Sequence, residues 1–154
     1  MVMKTSEADI SFPVLGFTPD LEIWGFRDLD PLTKCGPRTL KERKQLGMEL
    51  VDAEGRRWLV QSVNRTGRAG SLLSRIPILG LPQSRIEQEL EPMAPLSLDE
   101  VRGRARTAME THSINYLDGD DPDLEFKPLL KKVGKARSVA ELHDLLPPDT
   151  FEPY

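Results

Sequence analysis

The chain has 154 residues, 38% of them hydrophobic and 30% charged, with a formal net charge of −4. That is one domain's worth of chain, polar but not disordered by composition, and its negative balance argues against a general nucleic-acid binder. One cysteine, Cys35, excludes an internal disulfide framework and any multi-cysteine zinc site.

Met1–Glu7 holds no apolar run of the signal-peptide kind, and no segment approaches the ~20 apolar residues that span a bilayer. A reduced, cytoplasmic home without a membrane partner is therefore expected. Residues 1–11 are polar and read as a flexible lead, 12–146 as a single domain, and 147–154 as a Pro-rich tail.

In chain order, Phe12–Phe17 is apolar but broken by Pro13 and Gly16, which predicts at best an edge strand. Leu21–Arg27 reads as a strand with Leu21 and Ile23 on one face and Trp24 and Phe26 on the other. Asp28–Pro37 is turn-rich, and the charged stretch Arg38–Gln45 suits a short helix.

The best-specified element is a β-hairpin over Leu46–Val63. Asp52 and Gly55 suit a type I turn closed by a left-handed residue, a conformation that Gly adopts without a Cβ clash. Pairing Asp52 with Arg56 sets Leu50 opposite Trp58 and Met48 opposite Val60, so that these four make one apolar face. A slip of one residue would bury Arg57 and Glu49 instead, which fixes the register.

Asn64–Ser71 is a loop by composition, and Ser71–Leu81 is an apolar run interrupted by Pro77. Ser84–Glu91 alternates as a half-buried strand that Pro92 and Pro95 end. Ser97 and Glu100 match a capping box for a helix to about His112, with Val101, Ala105, Ala108 and Met109 inward. Pro128 suits the first turn of a helix to about Val133. Ser138 and Glu141 form a second capping box for a helix with Val139, Leu142, Leu145 and Leu146 inward. The fold class expected is α+β: an antiparallel sheet of about four to five strands centred on the hairpin, with the C-terminal helices mainly on one face.

Chemistry has few candidates. His112 and His143 stand in no nucleophile–base motif; the first reads as a helix-end residue and the second as part of a solvated helix face. No catalytic residue is assigned and no cofactor is implied. Asp118-Gly-Asp-Asp-Pro-Asp123 is the densest acidic patch, but it lacks the spacing and terminal Glu of a calcium loop, so no metal site is expected.

Charge is segregated along the chain. Residues 34–75 carry a net +6 and the remainder −10. Arg56, Arg57, Arg65, Arg68 and Arg75 could receive an anion or nucleic acid, although neither a P-loop nor a dinucleotide fingerprint is present. Trp24 and Phe26, with Asp118, Asp120, Asp121 and Asp123, could form a surface for a protein partner.

The leading expectation is a non-catalytic protein-interaction module of the type that neutralises a toxic protein, as immunity and antitoxin proteins do. The second is an anion- or nucleic-acid-binding regulator that uses the basic region. An enzyme without a recognisable motif comes third.

Overall fold

The computed structural model describes residues 2–36, 41, 43–69, 83–112 and 122–146, with the side chains of 68, 69, 83 and 122–125 left out. It is an α+β fold built on one antiparallel sheet. The strands are β1 (Met3–Lys4), β2 (Val14–Phe17), β3 (Ile23–Phe26), β4 (Lys34–Cys35), β5 (Glu49–Val51), β6 (Arg57–Ala69) and β7 (Gln83–Met93). The helices are α1 (Leu29–Leu32), α2 (Leu98–Thr111), α3 (Pro122–Lys135) and α4 (Val139–Leu145). The order across the sheet is β1-β7-β6-β5-β2-β3, with β4 also on β7, so the described residues form seven strands where four to five are expected. The difference comes from the two-residue strands β1 and β4, too short to leave a periodic signal.

The hairpin forms in the expected register: Leu50 faces Trp58, and Val60 N–H donates to the Met48 carbonyl. Gly55 has φ +84°, and its N–H closes the turn on the Asp52 carbonyl at 3.0 Å. Met48, Leu50, Trp58 and Val60 join Val14, Phe26, Leu32 and Leu90 in one core cluster, covered by Met3, Ala8, Ile10 and Phe12 from the chain's start. On the opposite face, Leu15, Phe17, Ile23 and Val51 pack with Val101, Ala105, Ala108 and Met109 of α2, with Val133 of α3, and with Val139 and Leu142 of α4. A strand interleaving inward residues on both faces is thus apolar throughout, and β2 is buried along its whole length.

Several expectations need correction. β2 lies between β5 and β3 rather than at an edge. Pro13 precedes the strand and so takes no ladder bond, and the missing Cβ of Gly16 makes room for Met48 Sδ, which would collide with that carbon. Leu21 is not part of β3; it adopts φ +66° and is 41% exposed.

The expected loop after Val63 is strand as far as Ala69, opposite Gln83. Its Thr-Gly pair marks a register shift between Arg65 and Gly67 instead of a chain reversal. Met3–Lys4 pairs with Leu90 and Glu89, and Thr5 is buried, so the polar lead is tied to the sheet. α3 begins at Pro122, the position proline favours, and holds Pro128 in its interior. Phe126, Leu130 and Val133 pack on the core at helical spacing and offset that local cost.

Ser97 and Glu100 make the reciprocal capping box. At α4 the Ser138 hydroxyl accepts from Glu141 N–H, while the Glu141 carboxylate accepts from Arg137 N–H, one residue earlier than the box requires. The expected helix over 38–45 and the segments 71–81 and 147–154 fall largely or wholly outside the described residues. Among the described residues, no helix is long and apolar enough to cross a membrane.

Candidate functional site: a basic-mouthed cavity on the long ribbon

Among the described residues β6 and β7 form the longest pairing, and β5 accompanies β6 only through Arg57–Leu59. The Gly47 N–H to Val60 carbonyl bond, 3.0 Å, is where the chain before β5 leaves the sheet. From Gln61 onward β6 has a strand neighbour on one side only among the described residues.

A cavity of about 520 Å³ opens there, lined by Cys35, Arg43, Gln45, Leu46, Gln61, Ser62, Val63, Asn64 and Arg65. Arg43, Arg65, Asn64 and Gln61 are exposed and form its mouth; Cys35 and Gln45 are buried and form its floor. None of these lining residues is acidic. Burial pushes the Cys35 thiol above its ordinary value, so the floor is uncharged at neutral pH.

A buried polar thread holds the floor in place. Gln88 Nε2 donates both to the Leu32 carbonyl (2.7 Å) and to Gln45 Oε1 (2.8 Å), and Gln88 Oε1 accepts from the Thr5 hydroxyl (2.6 Å). Those partners settle the Gln88 amide orientation, and Gln88 in turn settles that of Gln45. Gln45 is 2% exposed, and its Nε2 has no hydrogen-bond partner among the described residues.

The five arginines named from the sequence are divided by the fold. Arg56 and Arg57 stand at the hairpin turn, roughly 25 Å along β6 from Arg65 at about 3.3 Å per residue. Arg56 pairs with the buried Asp52 (3.0 Å), with Glu54 (2.8 Å) and with Asp9 (3.3 Å), and its guanidinium lies 5.9 Å from the centre of the Trp58 ring. Arg57 donates to the Ala94 carbonyl at 2.9 Å and faces Glu49. Both serve the turn.

Arg65 donates to the Ser84 hydroxyl at 3.1 Å and reaches the cavity. Arg68 lies on β6 opposite Ser84, with its side chain outside the described residues, as is all of Arg75. Nearby, Lys34 and Arg85 are engaged by Asp30 at 2.7 and 3.0 Å, and these two bonds, Lys34 first, hold the Asp30 carboxyl below its ordinary range.

Phe26 is 2% exposed and belongs to the core. Trp24 is half-buried beside it, ring centres 6.4 Å apart, and its indole N–H donates to Glu22 at 3.3 Å. Asp118, Asp120 and Asp121 lie outside the described residues; Asp123 is in α3, its side chain not among those described.

His112 caps α2 and its Nε2–H donates to the Asp20 carbonyl at 2.7 Å. His143 is not on a solvated face: it is 5% exposed, beside Val139, Leu142 and Leu146 on the inward side of α4. Among the described residues, no three His, Cys, Asp or Glu side chains are grouped to hold a metal ion.

Arg43 and Gln45 carry no signal in the sequence, because they sit in a highly charged stretch without apolar periodicity. Comparison with known protein families, with curated proteins and with solved structures gives no significant match.

Proposed function

We propose that the chain is a non-catalytic binding protein whose recognition site is this cavity, and that its ligand is anionic. The observation that carries the reading is the lining itself. Two guanidiniums, Arg43 and Arg65, stand at the mouth of a 520 Å³ cavity whose described lining residues include no carboxylate. That volume is in the range of small-molecule sites, and guanidinium groups match carboxylate and phosphate geometry. The reading keeps a binding role for the protein and moves the contact from the acidic part of the chain to the basic one. Only two of the ten basic residues of 34–75 are needed for it, which separates it from nucleic-acid binding along a charged track.

Isothermal titration at low ionic strength with inorganic phosphate and with acetate tests the reading. Saturable binding is expected, weakening as salt is raised. Arg43→Ala and Arg65→Ala should each weaken it about tenfold, in line with charge-assisted hydrogen bonds. Arg106→Ala, on the outer face of α2, should leave it unchanged. Absence of binding by the unsubstituted protein would overturn the reading and return weight to a protein partner on the acidic surface.

A further inference from the structure

From the floor of the cavity we infer the class of ligand: a small carboxylate that also carries a neutral carbonyl, an oxo acid or an acylated acid, with the carbonyl oxygen bound by Gln45 Nε2. This rests on the anion reading of the mouth and adds a selectivity which that reading lacks.

Gln45 spends its Oε1 on Gln88, whose own amide cannot turn without losing Leu32 and Thr5. What Gln45 has left is the two hydrogens of Nε2, on a residue that lines the cavity and is 2% exposed. A buried donor left unmet costs free energy, so a group that supplies an acceptor there is favoured over one that does not.

The acceptor is neutral because of its surroundings. Gln45 shares the cavity lining with the Cys35 thiol, protonated at neutral pH, and the half-buried Val63, while Arg43 and Arg65 are exposed. A charged oxygen would be desolvated at the floor and is matched at the mouth. A ligand that satisfies both ends therefore has its negative charge outward and its carbonyl inward. Leu46 and Val63 add apolar side chains to the lining, suited to a short methylene chain.

The test compares pairs of equal shape. Levulinate carries a ketone where 4-methylpentanoate carries a branched CH; longer 5-oxo and 6-oxo acids with their methyl-branched counterparts extend the series to other spans. Titration of the unsubstituted protein should show at least one oxo acid bound about tenfold more tightly than its alkyl counterpart, the discrimination expected when a site's polar group would otherwise stay unpaired.

Gln45→Met should bring that ratio to about one. Because this variant also leaves Gln88 short of an acceptor, its fold is checked by circular dichroism. A readout that needs no variant is the Gln45 side-chain amide resonance, which should shift with the oxo acid and not with the alkanoate. Equal binding of every pair, alongside saturable phosphate binding, would overturn the inference and leave the anion reading intact. Failure of phosphate and acetate to bind would remove both.

Discussion

Asp52 is fully buried at the hairpin turn and accepts from four donors. Its Oδ1 takes the N–H groups of Glu54 and Arg56, both at 2.9 Å; its Oδ2 takes Arg56 Nε at 3.0 Å and Ser11 N–H at 3.1 Å. One carboxylate therefore closes the turn and ties the chain before β2 to it. Asp52→Ala should cost about 3 kcal/mol in urea denaturation, since it leaves backbone donors without partners in a dry site. Glu54→Ala, removing a mostly exposed partner of the same arginine, should cost less than about 0.5 kcal/mol. Equal losses for the two would show that the turn, not its carboxylate, organises this corner. The sequence marks Asp52 as a turn residue; its role as a buried hub comes from Ser11, which no local pattern connects to it.

Elements meet through the same turn. The Leu96 N–H donates to the Gly55 carbonyl at 3.0 Å, and the Leu96 carbonyl lies 2.8 Å from where a Gly55 Cβ would be. The approach to α2 is thereby seated on the hairpin. Gly55→Ala would force both a left-handed backbone and a backbone collision, and should destabilise the protein by about 2–4 kcal/mol. Gly103, inside α2, has open space around its Cβ position. Gly103→Ala should instead stabilise by about 0.5–1 kcal/mol, through helix propensity and a less free unfolded chain. Thermal melts of the two variants should move in opposite directions. The capped start of α2 is legible because its signals lie within four residues; the interior position of Pro128 in α3 is not, because it depends on Phe126, Leu130 and Val133 finding the core.

The whole molecule is a sheet with a core on each face, and both tryptophans belong to the face away from α2, α3 and α4. Strands β2, β3 and β5 contribute side chains to both cores, so the two should unfold together. Met109→Ala, which empties part of the helix-side core, should cost about 2–5 kcal/mol. It should also lower the midpoint seen by tryptophan fluorescence, which reports the opposite face, as much as that seen by circular dichroism. A fluorescence midpoint that stayed in place would show that the cores unfold separately.

Local chemistry was enough to specify the Asp52–Gly55 turn, the pairing of Met48, Leu50, Trp58 and Val60, and the first turn of α2, because each depends on neighbours in the chain. Strand order, the burial of β2 on both faces, the inward place of His143 and the floor of the cavity depend on partners distant in sequence. Gln45 meets Gln88 across 43 residues and Thr5 meets Gln88 across 83. Gln88 shares the inward face of β7 with Ile86 and Leu90, whereas Gln45 has no apolar period to announce it, and which polar partners the two meet is decided by what the tertiary fold brings within hydrogen-bond reach.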